Sequence, residues 1–165
     1  MVYSIKYFPI NIEKHFEKAV IFRADAFEIS YGNKMHFNPE NEADTSKYRA
    51  YLIQRLKHFP SGNIHLFMDK TIIGQIESNI TTNARKEKIG YPNFIYLSPK
   101  YRFYGYGNCA HGYIVNVFRE LNIDKMGLQV SKRNISARRF YSKHGWKLSE
   151  LMNIDDTNFY MELRI

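Results

Sequence analysis

Leu97-Ser-Pro-Lys-Tyr-Arg102-Phe-Tyr-Gly105-Tyr-Gly107-Asn108 joins an apolar run, Phe94 to Leu97, to a segment with Ile114, Phe118 and Leu121 on one helical face. A basic, glycine-containing turn therefore leads from a predicted strand into the N-terminus of a predicted helix. Backbone N–H groups at that end have no intrahelical partner, and the helix dipole favours negative charge. Glycines let the backbone approach a ligand closely. The stretch predicts a phosphate-binding turn.

A second cluster lies downstream: Asn134-Ile-Ser-Ala137-Arg-Arg-Phe-Tyr141-Ser-Lys-His-Gly145-Trp146. Together the two stretches resemble the GNAT superfamily of N-acetyltransferases, in which an Arg/Gln-x-x-Gly-x-Gly/Ala turn binds the pyrophosphate of acetyl-CoA. Arg102, Gly105 and Gly107 match that turn. The second cluster matches, in order, a later Asn-x-x-Ala-x-x-x-Tyr-x-x-x-Gly-aromatic pattern of the family. The resemblance runs from about Phe94 to Trp146 and is architectural outside that span.

The resemblance implies a set of cofactor-binding residues around the glycine turn. The pyrophosphate would accept hydrogen bonds from the backbone amides of Phe103, Tyr104, Gly105, Tyr106, Gly107 and Asn108. The pantetheine arm would pair, as an added strand does, with the backbone of Leu97, Ser98 and Pro99. Phe103 departs from the family, which often has glycine there. Its amide stays available, while its side chain is expected to turn away from the ligand.

Asn134 is predicted as a helix N-cap, because its side chain can accept from the amides that follow. The resemblance adds a contact to the CoA arm and implies that Ala137 leaves room for the cofactor. Tyr141 lies seven residues after Asn134 and shares its helical face. The resemblance implies that Tyr141 is the general acid for the departing thiolate, and a tyrosine with a pKa of about 10 stays protonated at neutral pH. A packed aromatic with a satisfied hydroxyl is the alternative.

No carboxylate occurs in Gly90-Tyr-Pro-Asn-Phe94, the segment near which many family members carry a glutamate or a water chain as general base. Glu77, at the end of the preceding strand, is the best candidate for this role, with a structural role as its alternative. His36 and Glu42 are weaker candidates. A dedicated base is not needed if the amine arrives neutral or if its proton leaves through water.

The segment Gly105-Tyr-Gly107-Asn-Cys-Ala110 also fits the dinucleotide fingerprint G-x-G-x-x-G/A. Its position disfavours that interpretation, because Gly105 comes eight residues after the strand end at Leu97. The next predicted strand ends in the basic sequence Val130-Ser-Lys-Arg133, where a ribose-binding acid is expected. A Walker phosphate loop fails because no Gly-Lys-Ser/Thr follows the turn.

The length of 165 residues fits a single domain over residues 1–165 with a sizeable core, and the resemblance implies that this is an acetyltransferase domain. A hydrophobic fraction of 44% and an aromatic fraction of 16% argue against disorder. No apolar run reaches membrane-spanning length, and the first residues lack a signal-peptide layout. The single cysteine, Cys109, excludes an internal disulfide and makes a reducing cytoplasm the default location.

The formal net charge of +8 suits an anionic partner without naming one. CoA, a nucleic acid or an acidic protein would each gain from it. No RNP, zinc-finger or KH pattern supports nucleic-acid binding, and no metal site is predicted. The expected partners are acetyl-CoA and an amine acceptor, and a homodimer is compatible with the sequence.

The predicted element order is β-α-α-β-β-β-α-β-α-β-β, an α/β fold with a mixed, partly parallel sheet that matches the GNAT acyltransferase architecture. Helices are predicted over 12–27, 44–58, from the glycine turn to 121, and over 134–143, where Gly145 ends the last one. Segments 30–42 and 78–90 are predicted as polar loops that shape the acceptor site, and the second of them as mobile. A terminal hairpin is predicted over 146–152 and 159–163, turning at Asp155-Asp156.

These expectations combine into one functional hypothesis. The chain is predicted to be an acetyl-CoA-dependent N-acetyltransferase that moves an acetyl group to a primary amine of an unidentified acceptor by direct attack on the thioester. The alternatives are a catalytically weak CoA-binding module of the same fold and, less favoured, a basic nucleic-acid-binding protein.

Overall fold

The computed structural model describes residues 4–149 and 156–165. Its strands are β1 (Ile5–Pro9), β2 (Asn63–Met68), β3 (Thr71–Thr82), β4 (Lys88–Leu97), β5 (Lys125–Ser131), β6 (Lys147–Leu148) and β7 (Asn158–Arg164). Its α-helices are α1 (Ile12–Tyr31), α2 (Glu42–His58), α3 (Tyr106–Glu120) and α4 (Ile135–Lys143). The predicted element order and the mixed α/β sheet are confirmed.

The strands form one sheet in the order β1-β2-β3-β4-β5-β7-β6. Neighbouring strands are antiparallel except β4 and β5, which run parallel. The apolar side chains on one face of the sheet pack against α3 and its neighbours, with Leu66, Ile114, Phe118 and Leu128 in one buried cluster. The other face meets α1 and α2, where buried residues include Phe22 and Leu52.

Three of the four α-helices begin with an asparagine cap. The side chains of Asn11, Asn41 and Asn134 accept hydrogen bonds from backbone amides in the first turns of α1, α2 and α4. Such a cap satisfies donors that have no intrahelical partner. The N-cap of α3 is Gly105, which has no side chain to do the same. The predicted N-cap role of Asn134 is confirmed, and α3 alone among these helices starts without a side-chain cap.

The predicted glycine stop of α4 is also confirmed. Gly145 has a φ of 85°, in the left-handed region that glycine adopts without strain. Its amide donates to the Ser142 carbonyl at 3.1 Å, and the Trp146 amide donates to the Tyr141 carbonyl at 3.1 Å. This is the Schellman arrangement, which closes the helix end and directs the chain into β6. It fixes Tyr141 one turn from a rigid helix terminus.

Strands β4 and β5 meet at one bridge and then part. The pair Gly90–Met126 is their only backbone bridge among the described residues. Along β4, the register against β3 shifts between Phe94 and Pro92, so that Asn93 is an extra, bulged residue. A bulge bends its strand and increases its twist. The two parallel strands therefore diverge beyond the bridge and leave a gap in the middle of the sheet.

The prediction of a long loop over 78–90 is wrong. Strand β3 continues to Thr82, β4 begins at Lys88, and pairs such as Ile80–Gly90 join them in a hairpin. The Asn83 side chain closes the turn by accepting from the amides of Arg85 and Glu87. The segment is rich in polar residues because one face of this hairpin is open to solvent, and this composition led to the prediction of a loop.

Of the predicted strand over 146–152, the structure assigns Lys147–Leu148 to β6, and residues 150–152 lie outside the described residues. Trp146 is instead part of the main core, where its indole Nε1 donates to His111 Nε2 at 2.9 Å. The predicted turn residue Asp155 lies outside the described residues. Among the helices that are described, none combines the length and the apolar character that a membrane crossing requires.

Two glycine substitutions test the bridge between β4 and β5. A Cβ added at Gly90 would lie 2.5 Å from Cδ2 of the buried Phe118 ring, whereas one added at Gly112 in α3 meets nothing within 4 Å. We expect Gly90→Ala to lower the free energy of unfolding by about 1–3 kcal/mol through overpacking. Gly112→Ala should raise it by roughly 0.5–1 kcal/mol through helix propensity. Urea denaturation measures both, and equal midpoints would show that Phe118 does not pack tightly on β4.

Candidate functional site

The N-terminus of α3 is an open set of backbone donors. Gly105 has a φ of 88°, and α3 shows no side-chain cap. The Asn108 amide donates to the Gly105 carbonyl at 3.0 Å, so the earlier amides of this turn remain to be satisfied. A Cβ at Gly105 would meet nothing within 4 Å, so the glycine is needed for its backbone conformation and not for space. The predicted phosphate-binding turn thus has the geometry of an anion site.

The absence of a side chain at Gly107 also has a packing role. A Cβ at this position would lie 3.1 Å from Cε2 of Phe140 on α4. The missing side chain therefore allows α4 to approach the first turn of α3. Between these helices lies a cleft of about 540 Å³. Its lining residues are Ile95, Leu97, Arg102, Phe103, Gly105, Gly107, Asn108, Ser136, Ala137, Phe140, Tyr141 and Lys143.

A second cavity, of about 260 Å³, lies in the gap between β4 and β5. It is bounded by the C-terminal turn of α1, by β4 and β5, and by the start of α4, with Asn134, Ser136 and Tyr141 among its lining residues. Ile95, Leu97, Arg102, Ser136 and Tyr141 line both the cleft and this cavity. The two spaces therefore meet, and together they run from the α3 N-terminus into the middle of the sheet.

The β4 edge of the gap offers backbone groups from alternate residues. The Ser98 amide donates to the Ile73 carbonyl of β3 at 2.9 Å, so Ser98 faces β3 and the amides of Leu97 and Ile95 point the opposite way, into the gap. Pro99 has no N–H and begins a 3₁₀ turn. Of the predicted pantetheine-pairing residues, the structure places Leu97 at this edge and leaves Ser98 and Pro99 out. The sequence analysis did not single out Ile95, although the alternation of backbone groups along a strand predicts that its amide points the same way as that of Leu97.

Arg102 is held under the glycine turn by two partners. Its Nε donates to the Leu97 carbonyl at 2.8 Å, and its Nη2 lies 3.2 Å from the Asp25 carboxylate of α1. The Tyr96 hydroxyl donates to the same carboxylate at 2.5 Å. Burial and then Asp25 raise the pKa of Tyr96. Arg102 thus ties the turn to α1, and part of its charge is balanced by Asp25, a residue that the sequence did not single out.

Tyr141 lies where the cleft and the gap meet. Its ring packs between Phe140 and Trp146, with ring centroids 5.6 Å from each. Burial raises the pKa of its hydroxyl to about 12. None of the described residues forms a hydrogen bond with that hydroxyl. The described residues thus give no support to the alternative of a hydroxyl satisfied by the protein, and Tyr141 lines both cavities.

Asn134 connects the N-terminus of α4 to the C-terminal turn of α1. Its Oδ1 accepts from the Ala137 amide at 3.1 Å, and its Nδ2 lies 3.5 Å from the Ser30 hydroxyl. Nearby, the Ser131 hydroxyl donates to the Ser30 carbonyl at 2.5 Å. Arg133 Nη1 donates to the Tyr31 carbonyl at 3.0 Å. These bonds hold α1 across the far side of the gap.

Glu77 does not fit the predicted role of general base. Its side chain is fully buried beneath α1 and α2, and it lines neither cavity. Its Oε1 accepts from the Tyr48 hydroxyl at 2.5 Å and from Gln75 Nε2 at 2.7 Å, and its Oε2 lies 3.4 Å from Arg23. Burial raises its pKa, and Arg23 acts against that rise. We assign Glu77 to a structural polar network.

The other predicted residues occupy the margins of the site. Tyr104 is 75% exposed, and the Tyr106 hydroxyl contacts Met68 Sδ at 3.5 Å, so these two offer backbone amides at most. Phe103 is among the residues that line the cleft, and its side chain is 94% exposed, so the expectation that the ring turns away from the ligand stays a prediction. His36 packs beside Tyr31 with ring centroids 4.4 Å apart, and neither His36 nor Glu42 lines the two cavities.

This arrangement fits a ligand of a particular chemistry. Uncapped helix amides suit phosphate oxygens. Unpaired strand amides suit an extended chain that carries amide groups of its own, as the pantetheine arm does. A protonated tyrosine at their junction suits a group that acquires negative charge. The residues present therefore fit CoA from its pyrophosphate to its sulfur.

Comparison with solved structures gives the same architecture. PaiA N-acetyltransferase from Thermoplasma acidophilum, in complex with coenzyme A, is 20% identical with a TM-score of 0.78, over 98% of this chain and 99% of that one. Naa50 from Arabidopsis thaliana, in complex with a bisubstrate analogue, is 16% identical with a TM-score of 0.70, over 98% and 99%. An acetyltransferase from Thermus thermophilus is 11% identical with a TM-score of 0.73, over 98% and 97%.

At these identities the solved structures establish the fold. A search of curated proteins finds no match. The model of the acetyltransferase (GNAT) family matches residues 27–146, which include the bulged strand, the uncapped glycine turn and α4 with Tyr141. The chain belongs to the GNAT family of acetyltransferases.

Proposed function

We propose that this protein is an acetyl-CoA-dependent N-acetyltransferase that acts on a primary amine. The observation that carries the proposal is the continuity of two spaces. The cleft at the uncapped N-terminus of α3 opens into the β4–β5 gap, and Tyr141 lines both. A phosphate anchor, a slot for an extended chain and a proton donor thus lie in series.

Acetyl-CoA would bind along this series as the first substrate. The amides of the first turn of α3 would receive the pyrophosphate, and the Leu97 and Ile95 amides would pair with the pantetheine arm and the thioester carbonyl. The Leu97 carbonyl is already engaged by Arg102, so Leu97 contributes its N–H alone. Asn134 and Ala137 would border the arm from α4.

The proposed reaction is direct attack by the amine. The amine nitrogen forms a bond to the acetyl carbon, and the carbon–sulfur bond breaks with its electron pair on sulfur. Tyr141 donates its phenolic proton to the thiolate, which gives CoA as the free thiol. Holding both reactants in line lowers the barrier by orientation, and the strand amides stabilise the oxygen on which negative charge develops.

Proton removal from the amine is proposed to run through water. Glu77 is buried in its own network, and no carboxylate among the described residues lines the gap cavity. The proton released by the amine can return to Tyr141 through solvent, which restores the acid. An acceptor that arrives neutral supplies the same proton after attack.

The acceptor is proposed to approach over the open face of the β3–β4 hairpin. Asn93 and Gln129 line the gap cavity and also a neighbouring cavity of about 260 Å³. The neighbouring cavity is walled by side chains from β3, β4, β5 and β7, including Asn79, Tyr91 and Tyr160. These groups can donate and accept hydrogen bonds without carrying charge, and they lead toward the reacting end of the slot.

Cofactor binding tests the anchor. At about 100 times its dissociation constant, a ligand stabilises the folded state by about 2.7 kcal/mol, which is roughly 5–10 °C in melting temperature for a chain of this size. Acetyl-CoA should give such a shift and NADH should not. Gly105→Asp should abolish it, because a carboxylate would stand among the anion-binding amides. Gly105→Asn has nearly the same shape without the charge, tolerates the left-handed backbone, and should keep most of the shift.

The absence of a shift at millimolar acetyl-CoA for the unmodified protein would contradict the proposed function. Equal losses in Gly105→Asp and Gly105→Asn would show that space, and not charge, decides binding at this turn.

Replacement of Tyr141 by phenylalanine tests the proton donor. The ring packing is kept and only the hydroxyl is lost, so turnover should fall by roughly 10²–10⁴ while acetyl-CoA affinity changes little. The fall in turnover should lie at the lower end of that range, because a CoA thiolate is a fairly good leaving group even without protonation. Tyr113→Phe is the control, since this hydroxyl donates to the Ser61 carbonyl away from the cleft. Single-turnover acetyl transfer at saturating cofactor, corrected for folded fraction, gives the answer. An unchanged rate would remove Tyr141 from the mechanism and would favour protonation of the thiolate by water.

The pH dependence of the rate provides an independent test. Because the pKa of Tyr141 is raised to about 12, its hydroxyl stays protonated throughout the pH range 7–10. The rate should rise as the acceptor amine loses its proton and should then level off, with no decline below about pH 10. A decline near pH 8 in the pH profile of single-turnover rate would assign the essential acid to a different group.

A further inference from the structure

The neighbouring cavity leads on into a third space, which we call the basic cavity and which has a volume of about 540 Å³. The basic side chains that line it are Arg85, Lys125, Lys147 and Arg164. The basic cavity shares Asn83 and Ile89 with the neighbouring cavity, which in turn shares Asn93 and Gln129 with the gap cavity. The three spaces therefore lie in series, and one end of the series is the gap, where Tyr141 lies.

The charge of the basic cavity is only partly balanced within the protein. Glu162 is the carboxylate among its described lining residues, and it lies 4.0 Å from Arg85 Nη2. Lys147 and Arg164 are exposed, and neither has an ion-pair partner among the residues that the structure describes. Two cations are therefore available to a ligand.

The strand register brings two of these cations together. Lys125 of β5 is directly opposite Arg164 of β7. Like charges in opposite positions of an antiparallel pair destabilise a sheet. Glu87 pairs with Lys125, which leaves the Arg164 guanidinium without an anion of its own in the described part of the chain. A bound anion at this position would relieve the repulsion.

Strand β5 also sets the distance between the basic cavity and the gap. Gln129 lines the gap cavity and Lys125 lines the basic cavity, four residues earlier on the same strand and on the same face of the sheet. At about 3.3 Å per residue, these two positions are about 13 Å apart. Between them, a Cβ added at Gly127 would collide with the Tyr160 hydroxyl, so the side chain of Tyr160 reaches over β5. Neutral groups therefore separate the basic end from the reacting end.

We propose that the acceptor is an extended peptide with its N-terminal amine at the gap and acidic side chains in the basic cavity, where Lys147 and Arg164 bind them. The inference rests on the proposed function, which places the amine beside the thioester. An extended chain spans about 3.3–3.6 Å per residue, so a distance of about 13 Å corresponds to about four residues. The acidic side chains therefore belong at about the fifth and sixth positions of the peptide. The amide and hydroxyl side chains of the neighbouring cavity suit the peptide groups in between.

The experiment measures kcat/KM by thiol release at saturating acetyl-CoA for three hexapeptides with free N-termini. The distal-acid peptide is Ser-Gly-Ser-Gly-Glu-Glu, the neutral peptide is Ser-Gly-Ser-Gly-Gln-Gln, and the proximal-acid peptide is Ser-Glu-Glu-Gly-Ser-Gly. The distal-acid peptide should exceed the neutral one by about 3–10-fold, the worth of two exposed ion pairs. The proximal-acid peptide should show no such gain, because its carboxylates lie short of the basic cavity.

Two double variants separate the basic cavity from the general charge of the surface. Replacing Lys147 and Arg164 together by glutamine should reduce the ratio of distal-acid to neutral kcat/KM to about one. Replacing Lys47 and Lys57 of α2, which are also exposed, removes the same charge elsewhere and should leave that ratio unchanged. Melting temperatures of both variants, with and without acetyl-CoA, check that each is folded and binds the cofactor.

Three results would overturn the inference while the proposed function stands. The first is equal kcat/KM for the distal-acid and neutral peptides in the unmodified protein. The second is an equal loss of the ratio in both double variants, since the effect would then come from the whole surface. The third is a melting shift with acetyl-CoA and no turnover of any peptide. No shift with acetyl-CoA and no turnover would instead mean that the proposed function itself fails.

Discussion

The parting of β4 and β5 beyond the Gly90–Met126 bridge is the constraint on which the rest of the site depends. Inside a sheet, backbone donors and acceptors are normally paired, since leaving them unpaired costs free energy. Here the amides of Ile95 and Leu97 face a gap instead of a neighbouring strand. Without the bulge at Asn93 the two strands could continue their ladder, and no slot would exist for a second molecule to complete.

The gap stays open because both of its sides are held from outside the sheet. Ser131 and Arg133 bond to backbone carbonyls at the C-terminus of α1, and Asn134 lies against Ser30. On the other face, α4 approaches the glycine turn closely because Gly107 has no side chain. The slot is therefore bounded by α1, β4, β5 and α4, and each of these elements is fixed by contacts within the protein.

The parts of this structure that the sequence predicts are those governed by local backbone rules. The glycine turn, the Asn134 cap and the Gly145 stop each depend on a few consecutive residues, and the structure has all three. The β3–β4 hairpin was missed because its polar residues face solvent, which a composition-based prediction interprets as a loop. The sequence analysis did not single out Asp25, and it named Glu77 as the best candidate for the general base. Both outcomes arise because the partners of these residues lie on distant elements. Arg102 is 77 positions from Asp25, and Tyr48 is 29 from Glu77.

Charge balance at the glycine turn also follows from such distant contacts. A net charge of +8 suggests attraction of anions over the whole surface. At the site, however, the guanidinium of Arg102 is shared with Asp25 and with the Leu97 carbonyl. The candidate anion site would therefore depend mainly on the oriented backbone amides at the N-terminus of α3.

The two faces of the sheet are stabilised by different kinds of contact. The stability of the two layers therefore depends differently on temperature. The face under α3 and α4 is mostly apolar, with the His111–Trp146 hydrogen bond among its buried contacts. The face under α1 and α2 carries the buried Glu77, Gln75, Tyr48 and His65 network beside its own apolar clusters. Apolar burial weakens on cooling, and polar surface changes the heat capacity in the opposite sense. In the cold, the layer that carries the glycine turn and Tyr141 therefore loses a larger share of its stabilisation than the layer behind the gap.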